Sequence, residues 1–254
     1  METEPQSAYV PFSKFSNVYD AFMDYIDYPG WVRYICEILG LYGIEGKRLL
    51  DLACGTGTCA ILFAQKNFDV IGIDLSQEML DRARQKISTD LFGIKFFCQD
   101  VRDFRIEGKV DVATCLYDSL NYLLKKEDLA KTFACTYRAL EKGGAFIFDM
   151  NTEYALKEVW GNGVMHRNEG GFPSMWKNEY DADKGVGTLY LKWRIKENGA
   201  YKEYCEIHRE RSYTKAETED LLRGAGFKDV AIYAHKSFDL PAEVTPRIMV
   251  VAIK

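Results

Sequence analysis

The fold of this 254-residue chain is decided by one stretch, Leu49-Leu50-Asp51-Leu52-Ala53-Cys54-Gly55-Thr56-Gly57-Thr58. Its pattern is typical of a buried strand that runs into a glycine-containing turn and then into a helix. Gly55 and Gly57 allow a tight bend and the close approach of a ligand, while the first turn of the helix offers free backbone N–H groups. The stretch therefore predicts a strand–turn–helix unit that binds an adenosine-bearing cofactor.

Strands and helices alternate along the chain on both sides of this turn. Patterns of buried strands occur at 48–53, 68–74, 94–99, 110–116 and 145–150. Helical spacing predicts a helix at 58–66, one capped by Ser76, and one from Leu129 through Leu140 that closes at Gly143-Gly144. Two amphipathic helices, with Pro29-Gly30 between them, precede the first strand. This alternation predicts an α/β fold with a parallel, doubly wound sheet.

The pattern changes after the fifth strand. Leu189, Leu191, Trp193 and Ile195 alternate with polar side chains, and Asn198-Gly199 predicts a hairpin into a returning strand at 201–213. The returning strand alternates poorly, and because a one-residue bulge would exchange its two faces, the sequence leaves its register open. The segment therefore predicts an antiparallel insertion between the fifth strand and the last helix.

The carboxyl-terminal segment returns to the α/β pattern. Thr214-Lys215-Ala216-Glu217 is a capping box that opens a helix ending at Gly224 or Gly226. Strands at 228–233 and 247–253 then finish the chain. We expect these elements to complete the main sheet.

Composition and charge exclude several classes of protein. The chain is 47% hydrophobic and 28% charged with a net charge of −5, and no basic run suggests nucleic acid or an anionic membrane as a partner. Its acidic start, Met1-Glu2-Thr3-Glu4, differs from a signal peptide, and no apolar stretch has transmembrane length, which predicts a cytoplasmic protein. Seven scattered cysteines without a CxxC pair, and only three histidines, predict neither a disulfide framework nor a metal site.

Three carboxylates near strand ends indicate which cofactor is bound. Asp74 ends the second strand, nineteen residues after Gly55, where it can accept both hydroxyls of a ribose. Asp51, beside the glycine turn, repels a pyrophosphate and attracts an amino group, and Asp100 can accept from an adenine amine. Because Gly55, Gly57 and Ala60 also satisfy the loose dinucleotide pattern, an NAD-type oxidoreductase on a similar fold stays an alternative.

Five motifs in order resemble those of class I S-adenosylmethionine-dependent methyltransferases. They are Asp51–Gly57 (DLACGTG), Gly72–Leu80 (GIDLSQEML), Gln99–Asp103 (QDVRD), Tyr117–Tyr122 (YDSLNY) and Leu140–Gly144 (LEKGG). The resemblance covers about residues 12–153 and resumes at the last helix and strands. It is greatest to a small-molecule bacterial branch that includes aminosugar N-methyltransferases and relatives of glycine N-methyltransferase. It implies a Rossmann-like sheet of seven strands, mostly parallel with the last strand antiparallel, and an antiparallel β insertion after strand 5.

The resemblance also implies a division of the chain and a set of cofactor-binding residues. Residues 1–46 would form a helical lid, 47–153 and 214–254 the S-adenosylmethionine-binding domain, and 154–213 a substrate cover or dimer face. The product of the cofactor would be S-adenosylhomocysteine. The implied cofactor-binding residues are Tyr19, Trp31, Asp51, Ala53, Gly55, Gly57, Asp74, Leu75, Met79, Asp100, Val101 and Leu116. Tyr19 and Trp31 are equally consistent with ordinary core aromatics at helical spacing.

Residues after the fourth strand are candidates for the acceptor site. Asp118, Asn121 and Tyr122 follow that strand, where open α/β sheets place their ligands, although Asp118 and Asn121 could instead cap the following turn. His208 could act as a general base or hold a substrate hydroxyl, and a structural role for it is the stronger expectation.

The function predicted from the sequence is the transfer of a methyl group from S-adenosylmethionine to a nitrogen or oxygen of a small soluble metabolite. Alignment of the nucleophile and exclusion of water supply most of the catalysis of such a displacement. We expect no nucleic-acid or membrane partner, and the apolar hairpin of the insertion suggests a homodimer contact. A non-catalytic S-adenosylmethionine-binding protein stays a further alternative.

Overall fold

The computed structural model describes residues 8–87, 93–197 and 199–254. The acidic start at Met1–Glu4 and Asn198 of the predicted hairpin turn lie outside the described residues. Within the described ranges, no helix has the length and apolar character that a membrane span requires.

Eleven strands are present in the described part of the chain. They are β1 (Arg48–Leu52), β2 (Asp69–Asp74), β3 (Lys95–Cys98), β4 (Val110–Cys115), β5 (Leu140–Asn151), β6 (Gly163–Glu169), β7 (Phe172–Asp181), β8 (Val186–Glu197), β9 (Ala200–Arg211), β10 (Asp229–Ala234) and β11 (Arg247–Ile253). Seven of them form one sheet in the order β10-β11-β5-β4-β1-β2-β3, in which only β11 runs antiparallel to its neighbours. The predicted Rossmann-like sheet is confirmed.

Six α-helices pack around these strands in the described residues. They are α1 (Tyr19–Phe22), α2 (Tyr28–Leu41), α3 (Thr58–Ala64), α4 (Gln77–Lys86), α5 (Lys126–Ala139) and α6 (Lys215–Ala225). Short 3-10 turns occur at Phe15–Asn17 and Ser119–Tyr122, and a π-helical turn at Ala155–Trp160. The predicted caps are confirmed, because Ser76 accepts from Met79 N, Thr214 and Glu217 form the capping box, and Gly226 ends α6.

Two predicted element boundaries were wrong. Pro29-Gly30 lies inside the first turn of α2, where a proline removes no helical hydrogen bond and the Asp27 carboxylate accepts from Gly30 N at 2.9 Å. Helix α5 ends at Ala139 rather than at Gly143-Gly144, because Leu140 already pairs with Val110 of β4. The glycines instead lie in the irregularity that separates this pair from the rest of the β4–β5 register.

The insertion forms a second sheet of four antiparallel strands in the order β6-β7-β8-β9. Leu189, Leu191 and Trp193 of β8 are buried, as their alternation predicted. The β8–β9 register runs without a shift from the Val186–Arg211 pair to the Glu197–Ala200 pair, so β9 contains no bulge. Its alternation is poor for another reason: the side chains that share the buried face of β8 are Tyr204, Glu206, His208 and Glu210.

Candidate functional site

A cavity of about 920 Å³ lies between the main sheet, the insertion sheet and the amino-terminal segment. Its walls include Gly55 and Asp74 from the ends of β1 and β2, Asp118 from the end of β4, and His208 from β9. The carboxyl ends of parallel strands are where open α/β sheets bind ligands, and the volume lies at the upper end of the range for small-molecule sites. The cavity therefore has room for a nucleoside cofactor together with a small second ligand.

The two glycines of the first turn have different tasks. A Cβ built on Gly55, whose φ is +55°, meets no atom within 4 Å, so this backbone borders open space in the cavity wall. A Cβ on Gly57, whose φ is +73°, would lie 2.8 Å from the Phe96 ring and 3.0 Å from Ala83. Gly55 thus leaves room for a ligand, whereas Gly57 allows the turn to pack on its neighbours.

Asp74 stands at the end of β2 with its carboxylate fixed by the backbone. One oxygen accepts from Gly55 N and the other from Ser76 N, both at 2.8 Å. Burial raises the pKa of this carboxyl, although the backbone N–H groups oppose the rise. Because a carboxylate can accept more hydrogen bonds than these and the residue lines the cavity beside Leu75 and Met79, it suits the hydroxyls of a ribose.

Asp100 lies further along the same wall, where it already has a cationic partner. The Arg102 Nε donates to both of its oxygens, at 2.9 and 3.0 Å. Hydrogen bonding to Arg102 lowers the pKa of the Asp100 carboxyl, which stays charged and accepting. Asp100, Val101 and Arg102 all line the cavity, so an incoming amine would share the carboxylate with the arginine.

Tyr19 and Ala53 line the cavity with these residues, whereas Trp31, Asp51, Gly57 and Leu116 do not. Asp51 lies buried beneath the turn, where it accepts from Thr114 Oγ1 at 2.8 Å and burial raises its pKa to about 7. Trp31 packs on His235 with ring centroids 4.2 Å apart. The Leu116 carbonyl accepts from Ser119 Oγ at 2.9 Å.

The chain after β4 turns sharply and directs Asp118 into the cavity. Tyr117 and Asp118 both have positive φ, at 63° and 53°, which is unfavourable for residues with side chains. The conformation is held by Asp149 of β5, whose two carboxylate oxygens accept from Tyr117 N at 2.6 Å and from Asp118 N at 2.9 Å. Backbone strain is thus maintained where a side chain faces the ligand space.

Asp118 belongs to a buried polar cluster that the sequence did not reveal. Arg247 Nη1 donates to Asp118 Oδ1 at 2.8 Å and also to Asp149. Asn151 Nδ2 donates to Asp118 Oδ2 at 3.0 Å and to Glu210 Oε2 at 2.8 Å, so one amide joins two carboxyls. Asp118, Glu210 and Arg247 line the cavity, while Asp149 and Asn151 support them from behind.

Asn121 has a structural position rather than a place in the cavity wall. Its Nδ2 donates to the Asn151 carbonyl at 3.0 Å and to the Arg211 carbonyl at 2.8 Å, and its Oδ1 accepts from Asn151 N at 3.0 Å. The side chain thus ties the end of β5 to the end of β9 with its amide fully engaged.

Tyr122 and His208 meet at the other side of the same space. The Tyr122 hydroxyl lies 3.1 Å from His208 Nδ1, and both residues line the cavity. His208 is only 2% exposed, yet its Nε2 has no hydrogen-bond partner among the described residues and lies 3.4 Å from Glu206 Oε2. A buried nitrogen without a partner beside a cavity is a position that a ligand can complete.

Residues 9–15, which we call the strap, close the cavity from above. Glu206, fully buried on β9, accepts from Phe12 N at 2.7 Å, Lys14 N at 2.8 Å and Phe15 N at 2.9 Å. Ser76 Oγ donates to the Phe12 carbonyl at 3.1 Å, next to Asp74. The strap therefore bridges the insertion sheet and the main sheet.

A second set of contacts holds α1 over the glycine turn. Thr56 Oγ1 donates to Asp20 Oδ1 at 2.6 Å, and Lys86 Nζ donates to Asp20 Oδ2 at 2.9 Å. Lys86 also donates to Thr56 Oγ1 at 3.0 Å. Asp20 and Lys86 are exposed while Thr56 is buried, so the contacts of Asp20 and Lys86 can exchange with water more readily than the Glu206 contacts.

No group of three or more His, Cys, Asp or Glu side chains in the described ranges is arranged to hold a metal ion. The cavity is instead bordered by carboxylates, aromatic rings and an open glycine turn. This set of groups suits an organic cofactor that carries a ribose and an adenine.

Comparison with known proteins identifies that cofactor. Residues 49–144 match a family model described as a methyltransferase domain. A crystal structure of an S-adenosylmethionine-dependent methyltransferase from Clostridium acetobutylicum ATCC 824 is 30% identical, with a TM-score of 0.85 over 94% of this chain and 97% of that one. This chain belongs to the S-adenosylmethionine-dependent methyltransferases.

Further relatives of this methyltransferase agree with the assignment. YqeM of Bacillus subtilis (strain 168), whose name provisionally calls it a methyltransferase, is 33% identical over 85% of this chain and 86% of YqeM. A Streptomyces venezuelae dTDP-3-amino-3,4,6-trideoxy-alpha-D-glucopyranose N,N-dimethyltransferase is 31% identical over 53% of this chain and 56% of its own. The alternatives of an NAD-type oxidoreductase and of a non-catalytic protein find no support among them.

The residues on the cavity wall of this methyltransferase fit its cofactor, S-adenosylmethionine. The open space over Gly55 and the capacity of the Asp74 carboxylate to accept further hydrogen bonds are the features that a ribose-bearing ligand needs there. When bound, the cofactor supplies a methyl carbon that its sulfonium already activates for displacement. The chain itself has to bind, orient and exclude water.

Proposed function

We propose that this methyltransferase transfers the methyl group to a nitrogen or oxygen of a small, soluble metabolite. The observation that carries the proposal is the continuous cavity that runs from Asp74 on the main sheet to His208 and Glu210 on the insertion sheet, beneath the strap. It is large enough for two small ligands and has polar groups at both ends. The substrate named for the Streptomyces venezuelae relative, an aminosugar nucleotide, supports an acceptor of this class.

The proposed roles of the site residues follow their places around the cavity. We assign cofactor binding to Tyr19, Ala53, Gly55, Asp74, Leu75, Met79, Asp100 and Val101, and acceptor binding to Asp118, Tyr122 and His208. None of the remaining candidates borders the cavity, and we assign them supporting roles behind its wall: Trp31, Asp51, Gly57, Leu116 and Asn121.

The proposed division of the chain assigns residues 1–46 to a lid, 47–153 with 214–254 to cofactor binding, and 154–213 to a cover over the acceptor. The contacts of the strap and of α1 with both sheets support this division. We also propose that the protein is cytoplasmic, that it has no nucleic-acid or membrane partner, and that it forms a homodimer through the insertion.

Calorimetric titration with S-adenosylmethionine and S-adenosylhomocysteine tests the donor half. Wild-type protein should bind both at micromolar concentration, and Asp74→Ala should lose binding because no carboxylate is left for the ribose. Asp69→Ala is the matched control, since Asp69 is an exposed aspartate at the start of the same strand. Wild-type affinity in Asp74→Ala would contradict the ribose assignment.

Transfer of label tests the acceptor half. Protein incubated with methyl-labelled S-adenosylmethionine and a protein-free extract of bacterial metabolites should place label in the small-molecule fraction. The Asp74→Ala variant serves as the blank, because any label in its small-molecule fraction did not arise from enzymatic transfer. Label found only in added protein or RNA would contradict the proposed substrate class.

A further inference from the structure

We propose that the acceptor atom is the nitrogen of an amine, and that Glu210, joined to Asp118 through the side-chain amide of Asn151, takes the proton that the ammonium group must lose before methylation. The proposal rests on the proposed function and specifies the acceptor of the same site. It assigns a catalytic role to a residue on the insertion sheet.

The geometry brings these two carboxyls together at the cavity wall. Asn151 Nδ2 donates to Asp118 Oδ2 at 3.0 Å and to Glu210 Oε2 at 2.8 Å, so one amide holds both carboxyls side by side. Two neighbouring carboxyls disfavour the state in which both are charged. Burial, followed by the charge of Asp118, raises the pKa of Glu210 well above its ordinary value, which makes its carboxylate a stronger proton acceptor.

The surrounding charges favour a cation in this part of the cavity. Tyr117 faces the pair from the end of β4, Tyr122 from the following turn, Asp149 from β5, His208 from β9, and Arg247 from β11. Asp118 and Asp149 both hold Arg247, and Glu210 in its charged form brings the carboxylates to three against that one guanidinium. An ammonium ion can complete the charge balance, whereas an anion would be repelled.

An independent observation, a buried nitrogen that forms no hydrogen bond, points to a ligand position at this end of the cavity. His208 Nε2, in a side chain that is 2% exposed, has no hydrogen-bond partner among the described residues. Because His208 and Glu210 share one face of β9, a single bound molecule can reach both. A second polar group on the amine substrate would satisfy the histidine nitrogen.

The proton moves from the ammonium nitrogen to Glu210. Binding of the ammonium releases the Glu210 proton to solvent, because cation and carboxylate then neutralise each other. An N–H bond of the ammonium breaks, and the proton forms an O–H bond with Glu210. The freed nitrogen lone pair forms the N–C bond, and the electron pair of the broken S–C bond stays on sulfur. The positive charge therefore appears on nitrogen, next to the acidic pair.

A hydroxyl acceptor suits these surroundings less well. An alcohol develops negative charge on oxygen as its proton leaves, and this charge would face the Asp118 and Asp149 carboxylates. A nitrogen nucleophile instead becomes positively charged as the bond to carbon forms. The cluster therefore opposes the transition state of oxygen methylation and stabilises that of nitrogen methylation.

The chemical nature of the labelled product distinguishes the proposal from the more general function. Hot hydriodic acid releases methyl groups from oxygen as volatile methyl iodide, under conditions that leave N-methyl groups in place. Label from the metabolite extract should stay in the non-volatile fraction. Volatile label would overturn the amine proposal while the proposed function stands, and no label in small molecules would overturn both.

Variants of the pair test the role of Glu210. With the metabolite extract as acceptor and methyl-labelled S-adenosylmethionine as donor, Glu210→Gln should lower the rate of label transfer by at least about 100-fold, the usual contribution of a proton acceptor, and should abolish the acid limb of the pH profile. Glu203→Gln is the matched control, because Glu203 lies on the same strand, is exposed and pairs with Arg194. A loss of less than about 3-fold, or an unchanged pH profile, would overturn the assignment.

A readout that needs no turnover concerns the proton itself. The infrared difference spectrum between wild-type protein and Glu210→Gln at neutral pH should contain the C=O band of a protonated carboxyl. S-adenosylmethionine binding by calorimetry should be equal in the two proteins, which shows that the variant is folded. An absent band with binding retained would overturn the raised pKa of Glu210 on which the proton transfer depends.

Discussion

Glu206 is the residue whose removal should open the cavity without touching the proposed cofactor site. Its carboxylate is fully buried and accepts from Phe12 N, Lys14 N and Phe15 N, at 2.7 to 2.9 Å. Glu206→Ala removes all of these acceptors and leaves the rest of the strap unchanged. The strap should then lift from β9 far more often than in the wild-type protein.

The contacts set the size of this effect. Hydrogen bonds to charged groups contribute about 1.5–3 kcal/mol each, so the sum for Glu206 is at least about 4 kcal/mol. The net loss is smaller, because the freed N–H groups reach water once the strap lifts and a buried charge no longer has to be desolvated. We expect the free energy of local opening to fall by about 3 kcal/mol, which corresponds to roughly 150-fold faster amide exchange.

Hydrogen–deuterium exchange with mass spectrometry measures this change directly. Peptides covering residues 9–23 should exchange faster in Glu206→Ala, while peptides from β5 should keep their wild-type rates. Glu203→Ala, an exposed position on the same strand, is the control. The reasoning would be refuted by exchange in the strap that rises less than 3-fold, or by an equal rise throughout β5, which indicates global unfolding.

Three further predictions concern the stability of the walls. Gly57→Ala should lower stability by about 1–3 kcal/mol in chemical denaturation, because its Cβ meets Phe96 at a φ of +73°. Asn121→Ala should cost about 2–4 kcal/mol, because it leaves the Asn151 backbone N–H and two carbonyls without their partner, and an unchanged midpoint would contradict that role. Burial raises the pKa of Asp51 to about 7, so its contribution to stability is present below its unfolded pKa and is lost as pH rises through 7. Measured by thermal unfolding, the Asp51→Asn variant should therefore lose less stability than the wild-type protein between pH 5 and pH 8.

The fold could be predicted from the sequence because its signals are local. The first strand, predicted at 48–53 and found at Arg48–Leu52, the Ser76 cap and the capping box at Thr214 each depend on residues within a few positions of one another. The boundaries that were wrong depend on distant partners. Leu140 belongs to β5 only because Val110 lies beside it, which no short window of sequence contains.

The donor side of the site was predicted better than the acceptor side for a related reason. Asp74 and Gly55 are joined by one hydrogen bond within the single β1–α3–β2 unit, and both occur in ordered motifs. Glu206 and Glu210 act on residues far away in sequence, since Glu206 accepts from Phe12 N and Glu210 is joined to Asp118 by the Asn151 amide. The alternating positions of Glu206, His208 and Glu210 were visible in the sequence. Because the register of β9 was open, the sequence did not show whether this face of the strand points into the protein.

The polar face of β9 couples the parts of the cavity to one another. Glu206 holds the strap, His208 meets Tyr122, and Glu210 joins the carboxyl cluster at Asp118. Buried polar groups on a strand are costly unless each finds its partner, so this face is stable only when the strap and the loop after β4 are in place. Closure of the strap and ordering of the acceptor site should therefore be one event. A ligand at His208 Nε2, 3.4 Å from Glu206, is positioned to influence both.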